Sequence, residues 1–179
     1  MKSLKPYLLL FSLLLPSFLF SKDYNASMFG VKSNGTTMNT NSIQKGIDFV
    51  SENGGGRLVF YVGRYLTGTI HMKPNVTIQL EEGAILVGSP NPLDYEFLSN
   101  WTALIFAHNV NNIGITGKGV IDGQGFTVAT NLVQLIHNGV IKDPLKYDRP
   151  WEGRRPMNIY FRGCRNININ GITLKDPGS

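Results

Sequence analysis

The phrase Asn-x-x-Ile opens a β-rich run three times in this chain, as Asn75-Val76-Thr77-Ile78, Asn112-Ile113-Gly114-Ile115 and Asn166-Ile167-Asn168-Ile169. Each copy is followed by a glycine and a second β-rich run: Gly83-Ala84-Ile85-Leu86, Gly119-Val120-Ile121-Asp122 and Gly171-Ile172-Thr173-Leu174. A strand, a tight turn and another strand, repeated, is the pattern of a solenoid, whose units bury their apolar faces only by stacking on copies of themselves. Asparagine suits the corner of such a coil. It tolerates the left-handed backbone, and stacked asparagine side chains bond one another along the stack. The pattern therefore predicts an all-β chain folded as a parallel β-helix, with Ile78, Ile115 and Ile169 in one apolar column. An irregular two-sheet sandwich is the competing architecture. The third copy runs into the C-terminus, so the stack is expected to be truncated at that end.

One helix is predicted ahead of the strands. Ile43, Ile47 and Val50 fall on one face at i, i+4, i+7. Asn41 and Gln44 have capping-box spacing, and Gly54-Gly55-Gly56 supplies the stop, with Asn53 joining the C-terminal cap. The first coil of a solenoid exposes an apolar end, and an amphipathic helix placed there is expected to act as its cap. Beyond the glycines the period changes to two. Residues 57–62 and 65–71 read as strands separated by Gly63, and residues 103–107 as another. The rhythm breaks over about 126–155, where residues 131–137 carry helical spacing amid Asp143-Pro144, Arg149-Pro150-Trp151 and Arg154-Arg155-Pro156. This stretch is read as an insertion between coils, the usual place for a binding surface on a solenoid.

The chain has 179 residues, enough for one domain with a real core. Residues 1–21 read as a signal peptide: Lys2 and Lys5 form the positive segment, and residues 8–20 are almost wholly apolar. The apolar run is short for a membrane span. The mature chain is expected to begin near Lys22, as a 22–179 domain that is secreted or periplasmic and free of the membrane once the leader is removed. The formal charge of +5 includes those two lysines. With no basic helix and no lysine-rich tract, nucleic acid is not an expected partner. Cys164 is the only cysteine, which excludes an intrachain disulfide. Between Phe161 and Ile167 it reads as a small buried apolar residue.

Phe29-Gly30-Val31, the helix, Gly54-Gly55-Gly56 and Asn75-Val76-Thr77-Ile78 with Glu82-Gly83-Ala84 resemble the opening of the pectin-degrading β-helix proteins. The run from Ile113-Gly114-Ile115-Thr116-Gly117 to Ile121-Asp122-Gly123-Gln124-Gly125 resembles glycoside hydrolase family 28, the polygalacturonase-like enzymes. Arg155-Pro156, Ile159, Phe161, Cys164, Asn166-Ile167, Ile169 and Gly171-Ile172-Thr173-Leu174 continue it, so the resemblance runs from about residue 28 to the end. It implies a right-handed parallel β-helix that hydrolyses α-linked galacturonic acid chains with inversion, as a monomer when full length and without a cofactor. An inverting glycosidase uses two carboxyl groups roughly 6.5–9.5 Å apart, with the attacking water between them. The family draws them from an Asn-Thr-Asp motif and an Asp-Asp pair, supported by His-Gly and Arg-Ile-Lys. None of these motifs occurs here, so no catalytic residue is assigned, and the chain is expected to be an N-terminal portion, inactive alone. The alternatives are a non-catalytic β-helix that holds an acidic polysaccharide, as an adhesin or tailspike does, and a calcium-dependent pectate lyase.

The expected substrate-binding residues are Arg154, Arg155 and Trp151. Arginine forks bind carboxylates bidentately, and the implied polymer, an acidic plant-type galacturonic acid chain, carries one carboxylate per sugar. Trp151 offers a ring for sugar stacking. Asp122 and Asp176 read as turn residues. His71, His108 and His137 show no metal-ligand spacing, and no acidic cluster suggests calcium, so no metal is expected.

Overall fold

The computed structural model describes residues 22–98, 100–143 and 151–179; the leader expected over residues 1–21 lies outside them, as does Arg149. In chain order the strands and helices are β1 (Asp23–Asn25), α1 (Thr40–Glu52), β2 (Gly56–Phe60), β3 (Gly63–Thr67), β4 (Ile70–His71), β5 (Val76–Leu80), β6 (Ala84–Gly88), β7 (Phe97–Leu98), β8 (Trp101–His108), β9 (Asn111–Gly117), β10 (Val120–Asp122), α2 (Gly125–His137), β11 (Met157–Arg162), β12 (Arg165–Asn170) and β13 (Thr173–Lys175). They form three sheets. The first runs β1-β2-β5-β9-β12, the second β3-β6-β10-β13 and the third β4-β8-β11. Every pair within these sheets is parallel. Successive strands of one sheet are a coil apart in sequence, so the chain winds as a parallel β-helix.

The register follows the repeated phrase. Ile78 pairs with Ile115, and Ile115 with Ile169. Ile78 and Ile115 are fully buried, while Ile169, on the last described coil, is 46% exposed. The three asparagines form the expected ladder at the corner between the third and first sheets. Asn112 Nδ2 donates to Asn75 Oδ1 and Asn166 Nδ2 donates to Asn112 Oδ1, both at 2.8 Å. All three hold left-handed backbones, with φ of 64°, 57° and 53° for Asn75, Asn112 and Asn166. The inward column of the second sheet continues the core through Leu86 and Ile121, both fully buried.

Helix α1 covers the first coils. Ile43, Ile47 and Val50 are fully buried, and a Cβ on Gly46 would lie 3.0 Å from both Leu58 and Phe29. Its start differs from the expected capping box. The helix begins at Thr40 after Asn39, whose buried side chain binds the backbone of Lys32 and Thr37. Gln44 turns away from the helix start, donating to His71 O and accepting from His71 N, which clamps α1 to β4. At the other end Asn53 does join the cap, its Nδ2 donating to Phe49 O. Residues 65–71 are not one strand either. The chain bends at Gly68, where a Cβ would lie 2.0 Å from Asp94 O, and passes from the second sheet to the third. Cys164 is half-buried and packs against the core.

Between β10 and β11 the chain leaves the coil path. Helix α2 starts directly after β10, six residues before the expected 131–137 segment, and buries Val128, Leu132 and Ile136. A single helical turn, Glu152–Arg154, precedes β11.

Candidate functional site

The loops that join the second sheet to the third gather on one corner of the solenoid. They comprise residues 89–98 and 100 after β6, α2 and the segments 138–143 and 151–156 after β10, and residues 176–179 after β13. Contacts between coils fix them. Asn131 Nδ2 donates to Pro90 O, Gln124 Nε2 donates to Gly88 O, and Thr102 Oγ1 donates to Gly153 O. Tyr95 is buried, with its hydroxyl donating to Ser89 O at 2.8 Å. That burial, reinforced by the Asp94 charge, pushes its phenol well above the usual range. A shallow cleft of about 170 Å³ lies between this loop and α2, lined by Leu93, Tyr95, Phe97, Leu132 and Arg154 among others.

The three expected binding residues all stand at this corner. Arg154 is engaged within the loop. Its Nη2 donates to Lys142 O at 3.0 Å, its Nε lies 3.6 Å from Asp143 Oδ2, and its guanidinium sits 5.3 Å from the centre of the Phe97 ring. Asp143 is buried, so this cation chiefly compensates an interior charge. Arg155 is held more loosely. One Nη lies 3.5 Å from Glu152 Oε1, while the buried Nε has no partner among the described residues. An unmet buried donor costs on the order of 1–3 kcal/mol. Trp151 is 42% exposed, and its ring lies 5.9 Å from Phe97 and 6.3 Å from Trp101. The row continues through Trp101, Tyr160 and Phe106 on the outer face of the third sheet.

A second polar group ends the second sheet. Val87, Asp122 and Lys175 occupy one outward column by register. Lys175 Nζ lies 3.1 Å from Asp122 Oδ2, and the lysine side chain is 65% exposed against 10% for the aspartate. Asp122 does form the expected turn, since its Oδ1 accepts the Gln124 N–H, but the pairing with Lys175 was not legible as a motif. Nearby, buried Asn158 donates to Lys175 O, and its Oδ1 has no partner among the described residues. Most acids of this corner are tied locally: Asp94 to Ser89, Glu96 to His71, Asp122 to Lys175, Asp143 to Arg154 and Glu152 to Arg155. Among the described residues no group of three His, Cys, Asp or Glu could hold a metal ion.

No family model matches the chain. Individual proteins do. An exo-poly-α-D-galacturonosidase of Dickeya chrysanthemi is 36% identical over 88% of this chain and 33% of its own length. The family 28 exopolygalacturonase of Yersinia enterocolitica superposes on 88% of the chain with a TM-score of 0.75 at 27% identity, covering 35% of that structure. The chain is a polygalacturonase-like protein of the glycoside hydrolase family 28 type. A crystal structure from Parabacteroides merdae that carries the name glycosyl hydrolase superposes on the family 28-like chain more closely still. Its TM-score is 0.81 at 44% identity, over 88% of this chain and 66% of that one. The architecture is accordingly the right-handed parallel β-helix of these polygalacturonases. The family 28-like chain spans about a third of the length of the curated relatives that match most of it. Among its described residues no helix is long and apolar enough to cross a membrane.

Proposed function

We propose that the protein takes part in the hydrolysis of pectin-type polysaccharide, cleaving galacturonic acid chains with inversion at the sugar linkage. The observation that carries this reading is the 36% identity, across 88% of the chain, to an exo-poly-α-D-galacturonosidase. The corner loops supply groups suited to such a polymer: the partly exposed Arg155 guanidinium for a sugar carboxylate, and the half-exposed Trp151 ring for a sugar face. Arg154 acts behind them by holding the loop that carries both. The chemistry requires an acid to protonate the leaving oxygen and a base to activate water from the opposite face. No residue of this chain is assigned to either role. The protein is exported, with residues 1–21 removed as a leader, and N-terminal sequencing of the exported form is expected to start near Lys22.

Release of reducing ends from polygalacturonate, measured beside a family 28 exopolygalacturonase, tests the reading. Binding of galacturonate oligomers together with turnover supports it, and indifference to the polymer sinks it. A second reading is binding without cleavage. It is favoured by the local engagement of Asp94, Asp122 and Asp143, which leaves them poorly placed for proton transfer. Tight oligomer binding with no turnover would select it.

A further inference from the structure

We propose that the cleft between the Asn91 loop and α2 is a binding site for a neutral sugar unit, read through side-chain amides and selective against uronates. The proposal rests on the pectin-type polysaccharide reading and deepens it by adding an uncharged unit to an acidic ligand.

The cleft measures about 270 Å³. Asn91 and Pro92 stand on one wall, and Asn131, Gln134, Leu135 and Asn138, from α2 and its C-cap, on the other. Residues three and four apart are neighbours on a helix surface, so these four make one stripe along α2. The stripe borders the face that buries Val128, Leu132 and Ile136. Asn131 ties the walls together, since its Nδ2 donates to Pro90 O at 2.8 Å. Both walls come from the loops after β6 and β10, so the cleft lies between two coils rather than on the last one. It shares Pro92 with the smaller cleft beside Arg154, but no other residue. Small-molecule sites begin at roughly 300 Å³, so a volume just below that suits one sugar ring rather than a length of polymer.

None of the described residues that line the cleft is charged. Asp94, the acid behind the Asn91 wall, is engaged with Ser89 Oγ and Asn91 Nδ2. An amide both donates and accepts, as a sugar hydroxyl does. Two of the amides are held in place. Asn91 Oδ1 accepts the Leu93 N–H at 3.1 Å and its Nδ2 donates to Asp94 Oδ1 at 3.3 Å, which leaves one amide hydrogen for a ligand. Asn131 gives one hydrogen to Pro90 O and keeps its Oδ1 as an acceptor. The side chains of Gln134 and Asn138 make no hydrogen bond among the described residues. Pro92 and Leu135 add carbon surface for the C–H groups of a ring. A carboxylate only accepts, so here it would meet amide oxygens and lose water with no cation to replace it. That cost falls on a uronate and not on a hexose with a hydroxymethyl group at the same position.

The test follows the side-chain NH2 signals of the whole protein by nuclear magnetic resonance while a galactose tetramer or a galacturonate tetramer is added. The galactose tetramer is expected to shift the signals of Asn91, Asn131, Gln134 and Asn138, and the galacturonate tetramer to leave them in place. Gln134→Ala puts a good helix former at a solvent-facing position, so the fold should survive it. It should weaken the galactose tetramer about three- to tenfold, the scale of one neutral hydrogen bond, and leave galacturonate binding within about twofold. Asn138→Ala should act in the same direction. Galactose affinity should be the same at about 0.05 and 0.5 M salt, because no charge takes part. A galactose tetramer that leaves the four amides unmoved, or a galacturonate tetramer that moves them as far, overturns the site. So do equal losses for both ligands on Gln134→Ala, or no loss of galactose on either variant. In each case galacturonate binding elsewhere keeps the pectin reading intact. Failure of the unmodified protein to bind either tetramer refutes both.

Discussion

Replacing Asn112 tests the physical basis of the corner ladder. Its side chain is the middle rung, accepting from Asn166 and donating to Asn75 at 2.8 Å each, and its backbone sits at φ 57°. Asn112→Ala removes both hydrogen bonds and places a Cβ without polar compensation in the left-handed region. Both bonds are solvent-exposed, so each is taken at the low end, about 0.5 kcal/mol. The backbone contributes roughly 1–2 kcal/mol. The expected loss is thus about 2–3 kcal/mol. For a chain of this size that lowers Tm by roughly 4–12 °C. Asn112→Gly loses the same bonds but relieves the backbone, so it should fall about 1–2 kcal/mol short of the alanine variant's loss. Urea titrations of the three proteins, with Tm as a second readout, measure both differences. Glycine as harmful as alanine, or alanine indistinguishable from the parent, would falsify the claim that the asparagines are selected jointly for backbone and side chain.

Ile115→Ala, in the fully buried middle of the isoleucine column, should cost about 2–5 kcal/mol in the same titration. Tyr95 predicts an alkaline limit. Its folded phenol titrates above the ordinary value near 10, so the unfolded chain releases that proton first. Stability from Tyr95 is therefore complete below that pH and declines as pH rises towards the folded value; Tyr95→Phe should flatten the decline in urea midpoints between about pH 9 and 11. Arg155→Ala should weaken galacturonate oligomers by about tenfold or more while sparing methyl esters, as removal of a charged donor requires. Trp151→Ala should weaken acid and ester alike by about three- to tenfold, because a ring face does not sense charge. A reversal of those two ligand patterns in calorimetry would show that the roles of the arginine and the tryptophan are misassigned.

The coil was legible because Asn75, Asn112 and Asn166 carry their information locally: a turn residue, then alternating apolar positions. Register followed from the phrase itself. The beginning of α1 was misread since Gln44 satisfies His71, a partner on a strand that spacing within the helix cannot reveal. The start of α2 was hidden by Gly125, Thr127 and Thr130, weak helix formers that the packing of Val128 and Leu132 overrides. The concentration of arginines marked one corner of the solenoid, but not the difference between them. Arg154 is committed to Asp143 and Phe97, which lie 11 and 57 residues away in sequence, and only the fold brings them together. Lys175 and Asp122 stand 53 residues apart, so their pairing arises from the register of β10 with β13.

The asparagine ladder also has a direction. Each side-chain amide gives its proton towards the N-terminal coil and receives one from the next, so the rungs point one way, like aligned links. A whole extra coil could be spliced between two rungs and find a donor on one side and an acceptor on the other. A single inserted residue within β9 would instead exchange its inward and outward faces, sending Ile113 and Ile115 to the surface. Such a chain is tolerant of change measured in coils and intolerant of change measured in residues, which makes it suited to lengthening by duplication.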